Sequence, residues 1–199
     1  VINDARAIER TVDKLHTSYL LNQNNINTPK TYVSRGQESA SRFIRNFNFN
    51  SSLIYKPLFG SQGDNIRLIR GSDDFDQLDN ATNIYYFQEY LENIPNYDYR
   101  VLVINKKDNN KSFYMTRYGE TFINNVSKGA TCAREDLDDE VIEMAIKSSR
   151  LLNIDFCGVD IIRHKDKYYV IEVNSIPAWR GLQEVESMQI SDYIADLLQ

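Results

Sequence analysis

The run Phe156-Cys157-Gly158-Val159-Asp160-Ile161-Ile162-Arg163 is followed closely by Tyr168-Tyr169-Val170-Ile171-Glu172-Val173-Asn174. Two strands, Cys157 to Arg163 and Lys167 to Val173, fit this pattern around a tight charged turn. Side chains alternate along a strand, so Glu172 and Asn174 share a face. If the loop has an odd length, such as Lys165-Asp166-Lys167, Asp160 stands directly opposite Glu172, and opposed residues point to one face. An even loop places them on opposite faces. On the odd pairing Asp160, Glu172 and Asn174 converge as oxygen ligands, while Val159, Ile161, Ile171 and Val173 face the core. Two opposed carboxylates repel, and a hard divalent cation, Mg²⁺ or Mn²⁺, relieves that repulsion. The geometry alone is equally compatible with a solvated polar face on a surface hairpin.

The rest of the chain reads as alternating helices and strands. Ala5 to Asn22 has Ile8, Val12, Leu15, Tyr19 and Leu20 near a 3.6-residue period and predicts one helix. Thr31-Tyr32-Val33 predicts a short strand, and Glu38 to Phe47 a second helix. Leu53 to Pro57, Ile66 to Ile69 and Ile84 to Gln88 predict strands, with a short helix over Asp73 to Leu78. Tyr97 to Asn105 and Ser112 to Tyr118 are β-prone, and Asp138 to Leu152 reads as a helix with acidic residues in its first turn. This order predicts an α+β protein of two lobes, residues 1–91 and 92–199, with the break between Leu91 and Tyr97.

Three further segments carry possible chemistry. Lys56 ends a strand ahead of Gly60, Ser61, Gln62 and Gly63, whose backbone N–H groups can turn towards an anion. No GK[ST] follows, so this is not a Walker loop, and alone it is as well explained by an ordinary turn. Gln88, Glu89, Tyr90 and Leu91 close a strand whose last backbone groups can meet an adenine edge. Asp98 and Arg100 lie on one strand face, suited to ribose hydroxyls and phosphate, or to an exposed surface pair. Lys14, Arg117, Asn125, Lys128 and Arg180 each read alone as solvated side chains, Trp179 as a core aromatic, and His16 and His164 have no assigned role.

Composition excludes several classes. The net charge of −5, with both signs interspersed, argues against non-specific nucleic-acid binding. Cys132 and Cys157 have neither CxxC spacing nor clustered histidines, which reads as a reducing cytoplasm without a disulfide framework or zinc site. No apolar run approaches the ~20 residues of a membrane span.

In order, these segments resemble the ATP-grasp superfamily, in its RimK-like branch of glutamate ligases. The resemblance rests on Asp13-Lys14, Thr28-Pro29-Lys30-Thr31, Tyr55-Lys56-Pro57-Leu58-Phe59-Gly60-Ser61-Gln62-Gly63, Gln88-Glu89-Tyr90-Leu91, Asp98-Tyr99-Arg100, Gly158-Val159-Asp160 and Glu172-Val173-Asn174-Ser175-Ile176-Pro177. It implies a fold of antiparallel sheets with ATP bound between two lobes. It implies that Lys14 and Lys56 contact phosphates beneath the loop Gly60 to Gly63, that Gln88 to Leu91 hold adenine, and that Asp98 meets ribose. Arg100, Asn174 and Arg117 are then catalytic, and Asp160, Glu172 and Asn174 hold Mg²⁺. The implied reaction phosphorylates a carboxylate to an acylphosphate, which an amine displaces to an amide. L-glutamate is the expected amine, and a pterin-type cofactor or a protein tail the expected acceptor. A nucleotide-binding module without ligase activity is the alternative, and a homo-oligomer is an open option.

Two departures bear on the substrate. Ribosomal-protein-modifying members carry arginine where Ile123 and Lys128 stand, and they lack the Trp179-Arg180 pair after Pro177. Both departures look more like archaeal or methylotroph relatives, some of which add glutamate to a pterin cofactor, and Asn125, Lys128 and Arg180 are the expected substrate-reading residues. Members of the branch usually carry an N-terminal α/β domain ahead of the first matching helix. Without it, the expectation is a chain that binds ATP yet couples its turnover poorly to product.

Overall fold

The computed structural model describes residues 2–60, 63–106 and 109–198, with only the backbone of 106 and 109. In chain order its elements are α1 (Ala5–Val12), α2 (Lys14–Gln23), β1 (Thr31–Arg35), α3 (Gln37–Asn46), β2 (Leu53–Lys56), β3 (Arg67–Ile69), α4 (Ser72–Asp76) and β4 (Ile84–Glu89). Then come β5 (Tyr97–Lys106), β6 (Asn109–Tyr118), β7 (Thr131–Ala133), α5 (Asp139–Leu151), β8 (Phe156–His164), β9 (Lys167–Asn174), α6 (Arg180–Val185) and α7 (Ile190–Ala195). No described helix is long and apolar enough to cross a membrane.

The chain forms two units, Pro29–Leu91 and a larger one combining Val1–Thr28 with Glu92–Gln199. The smaller holds an antiparallel sheet of order β1-β4-β2-β3. Alternation along β2 and β4 sends Leu53, Tyr55, Tyr85 and Phe87 to one face, where they bury Ala40 and Ile44 of α3 and Phe75 of α4. Aromatic rings fill this core, with Phe43 stacked on Phe87 at 5.7 Å.

The larger unit holds an antiparallel sheet of order β7-β6-β5-β8-β9. Val101, Val103, Val159, Ile161, Val170 and Val173 form one face, covered by Val141 and Ala145 of α5 and by Ala7 and Leu21. The opposite face has two ends. Leu102, Ile104, Phe113, Met115 and Phe156 are sealed by Leu182 of α6 and Ile190 and Ile194 of α7. Along the same strands, the other end of that face carries Arg100, Arg117, Asp98 and Asp160.

The first 28 residues correct the expected division, which grouped them with 29–91. Ala7 and Leu21 are buried in the larger unit's core, and Asn27 O accepts a 2.9 Å bond from Val170 N of β9. The single helix expected over Ala5 to Asn22 is two helices. Asp13 breaks it in an extended conformation, and its side chain accepts from Leu15 N and His16 N, capping α2. The break also re-aims the faces. Val12 and Tyr19, expected at apolar core positions, are 47% and 58% exposed, whereas the small Ala7, Thr11, Thr17 and Ser18 are buried.

Asn3 ties the site strands together. Its Nδ2 donates to Phe156 O at 2.7 Å and Ser175 O at 2.6 Å, while its Oδ1 accepts from Asp155 N and Phe156 N. These bonds pin the start of β8 to the end of β9. Asn3→Ala strands several buried backbone groups and costs at least about 1–3 kcal/mol. A urea denaturation midpoint indistinguishable from wild type contradicts that role.

Candidate active site

The hairpin of β8 and β9 reaches the expected pairing by an unexpected route. Its turn is even: His164 pairs with Lys167, leaving Lys165 and Asp166 as a two-residue turn with φ of 47° and 61°. Both lie in the left-handed region that tight hairpin turns demand. Ile161 then pairs with Val170, but Asp160 pairs with Glu172, so the register shifts by one residue at a β-bulge. The extra residue is Ile171, which is half-buried, while Val170 takes the core position expected for it. The bulge restores the register that an odd turn would have set. Asp160 and Glu172 therefore face the same way, and Asn174 lies opposite Gly158.

Four charged side chains, three buried and Arg100 nearly so, lie at this end of the face. Arg117 of β6 pairs directly with Asp98 of β5, Nε to Oδ1 at 2.6 Å. Arg100 pairs directly with Asp160, its Nη2 donating to Oδ2 at 3.0 Å. Arg100 Nε also lies 2.6 Å from Asp160 Oδ1, an ion pair off the angle of a hydrogen bond. Arg117 Nη2 completes the set at 3.0 Å from the same Oδ1. Burial pushes the Asp98 carboxyl up to about 6 against the pull of Arg117. Burial likewise lowers Arg100. Burial works to lower Arg117 too, but Asp160 and Asp98 outweigh it and hold the guanidinium more firmly charged.

Asp98, expected at the ribose, is buried, and its Oδ1 accepts from Arg117 Nε. Lys14 opens α2, and burial lowers its amine while Glu172 and Asp13 pull it back up. Lys14 thus shares the surroundings of Glu172.

In the smaller unit, Lys56 and Gln88 lie on the sheet face opposite its aromatic core. Lys56 is 7% exposed and its Nζ donates to Gln88 Oε1 at 2.7 Å. Gln88 Nε2 is buried with no partner among the described residues, an amide donor left for another acceptor. Glu89 N donates to Lys30 O and Tyr90 N to Ser52 O, so these two amides extend the sheet, and Leu91 follows the last of these bonds. Gly60 and Gly63 have φ of 156° and 74°, the second in the left-handed region. Ser61 and Gln62 lie outside the described residues.

The expected substrate residues gather on the larger unit. Asn125 O accepts from Lys128 N at 2.9 Å, closing a 3₁₀ turn over Val126–Lys128. Arg180 opens α6 with its side chain 92% exposed, 3.5 Å from Glu184. A Cβ at Gly181 would stand 3.2 Å from Val126 and 3.1 Å from Cys132, so this glycine lets α6 seat against the turn.

Other contributors have no visible signal in the sequence. Asn96 Nδ2 donates to Gly119 O at 3.0 Å and Asn124 Oδ1 at 2.7 Å, and also to Thr121 O, fixing the loop that leads to Asn125. Gly158 stands within a sequence motif that gives it no role of its own. A Cβ there would fall 2.5 Å from Arg100 Nη1, so its absence gives the arginine its resting place.

Oxygen donors without His or Cys suit a hard divalent cation. Mg²⁺ characteristically takes one or two carboxylates and completes its shell with water and substrate phosphate. Asp160, Glu172 and Asn174, on adjacent strands and one face, fit that demand.

The fold is that of ATP-grasp proteins. It matches an ATP-grasp ligase, PsnB, solved with a minimal precursor, Mg and ADP, with a TM-score of 0.70 and 22% identity over 100% of this chain and 63% of that one. Residues 11–198 match the model of the RimK-like ATP-grasp domain, and the chain belongs to that family. A tetrahydromethanopterin:alpha-L-glutamate ligase of Methanocaldococcus jannaschii is 31% identical over 98% of this chain and 69% of its own length. A coenzyme gamma-F420-2:alpha-L-glutamate ligase of the same organism is 32% identical over 92% of this chain and 65% of its own length.

Proposed function

We propose that this chain is the nucleotide-binding and catalytic part of an ATP-dependent carboxylate–amine ligase that joins L-glutamate to a carboxylate acceptor. The observation that carries this reading is the sheet face where Arg100, Arg117, Asp160, Glu172 and Asn174 converge. Oxygen donors beside guanidinium groups suit a phosphoryl group in transfer, because little else than positioning and charge stabilisation is required. Mg²⁺, when bound by Asp160, Glu172 and Asn174, supplies neutralising charge for the nucleotide phosphates. Lys56 and Lys14 add fixed positive charge. Gln88 Nε2 offers a buried donor to the nucleotide, with Glu89, Tyr90 and Leu91 as the adenine hinge. Gly60 to Gly63 form the phosphate loop. Arg100 orients the phosphoryl group towards the acceptor carboxylate, and Arg117, held by Asp98, keeps the face charged. The products are an amide, ADP and phosphate.

The relatives in Methanocaldococcus jannaschii carry glutamate-ligase names, which supports glutamate as the amine and a cofactor-type acceptor such as a pterin. Phosphate release measured over a panel of carboxylates, with and without L-glutamate, tests the reading. Release that requires both supports it, and release indifferent to either points to a nucleotide-binding module.

Three variants refine the assignment. Lys56→Ala weakens ATP binding by about 1.5–3 kcal/mol, the range for hydrogen bonds to charged groups. Lys56→Arg restores it only in part, since the buried position beside Gln88 suits a compact ammonium rather than a planar fork. Calorimetric titration with unchanged affinity in both variants makes the loop an ordinary turn. Arg180→Ala raises the KM for glutamate or acceptor and leaves that for ATP unchanged; selective damage to the ATP KM contradicts the substrate role.

A further inference from the structure

Asp160 already faces two guanidinium groups where it would hold a divalent cation. The carboxylate is 3% exposed, and both its oxygens face guanidinium groups. The two arginines are not equivalent. Arg117 is anchored independently by Asp98 on the neighbouring strand. Arg100 directs its hydrogen bond and its ion pair to Asp160. It reaches that carboxylate by lying across Gly158, where a Cβ would meet Nη1 at 2.5 Å and Cδ at 3.3 Å. The resting place is therefore written into the sequence at a glycine.

We propose that Arg100 is the resident counter-cation of Asp160, and that it yields the carboxylate to a divalent cation only when nucleotide phosphate draws the guanidinium away. Two cations within a few ångströms of one another in a buried setting repel strongly. A metal arriving alone has to displace Arg100 and leave its charge buried without a partner. A nucleotide supplies that partner, because phosphate accepts the same planar fork of donors as carboxylate. Metal and nucleotide binding are coupled through one side chain, and the site does not fill with metal alone. The inference rests on the reading of Asp160 and Glu172 as metal ligands.

Binding of Mn²⁺ alone to the whole chain, followed by the loss of the free-ion paramagnetic resonance signal, tests it. Wild type binds Mn²⁺ weakly without nucleotide. Arg100→Gln binds it at least about tenfold more tightly, within the ordinary range of coupling between sites. Gly158→Ala moves in the same direction, because its Cβ dislodges the guanidinium while retaining its charge, and it provides a second route if Arg100→Gln folds poorly. Mn²⁺ affinity unchanged or weakened in both folded variants overturns the inference and leaves the ligase reading standing. Failure of wild type to bind ADP with Mn²⁺ present overturns both.

Discussion

Glu172→Gln lowers ATP turnover by about 10²–10³-fold, the scale on which a single transition-state electrostatic contact acts. The reason is the pairing on β8 and β9. Glu172 sits directly opposite Asp160, whose own oxygens are already engaged by two arginines, which leaves Glu172 as the more available carboxylate for a metal. The glutamine side chain keeps the shape and one oxygen but loses the charge a hard cation requires. The change also removes the negative charge that favours the ammonium form of Lys14, and so weakens its proposed contact with phosphate. The fold is spared, because a half-buried side chain is replaced by a neutral isostere. Steady-state turnover and a melting curve on the same preparation check both halves. Wild-type turnover in Glu172→Gln at ordinary Mg²⁺ removes Glu172 from the site.

Arg117→Met destabilises the protein by about 3–5 kcal/mol, because breaking a buried pair leaves an uncompensated charge. Asp98 loses the donor at 2.6 Å that offsets its burial, while Asp160 keeps Arg100. The loss is therefore specific to Asp98, and a second change, Asp98→Asn, recovers much of it in a double-mutant cycle. The same guanidinium lies 3.0 Å from Asp160 Oδ1, so Asp98 holds Arg117 beside that carboxylate. Urea denaturation of the single and double variants measures that recovery. A cost below about 1 kcal/mol for Arg117→Met, the range of exposed pairs, contradicts the buried-network account.

Local patterns make much of the fold legible. Alternation in β5, β8 and β9 separates Val101, Val159 and Val173 from Arg100, Asp160 and Glu172 in the sequence itself. The register of the hairpin is less accessible. No composition signal marks a bulge at Ile171, and a two-residue turn taken alone sets Glu172 on the wrong face. The helix break at Asp13 is visible only as a capping residue inside a periodic run. Residues 1–28 belong to the larger unit, and Val12 and Tyr19 are exposed. Asp98 reads as an exposed acid because an isolated strand does not reveal which charge stands across from it. Asn3 and Asn96 act through bonds to distant backbone, for which one sequence offers no local cue.

On the proposed reading, a carboxylate is activated by phosphoryl transfer on the face that carries Asp160 and Glu172. Hydroxylamine intercepts an acylphosphate as a hydroxamate, so the direct measurement incubates the chain with Mg²⁺, ATP, hydroxylamine and a panel of carboxylates. Hydroxamate is expected in step with ADP, dependent on one class of carboxylate and lost in Glu172→Gln. ADP released equally with every carboxylate and with none, and without hydroxamate, would contradict it.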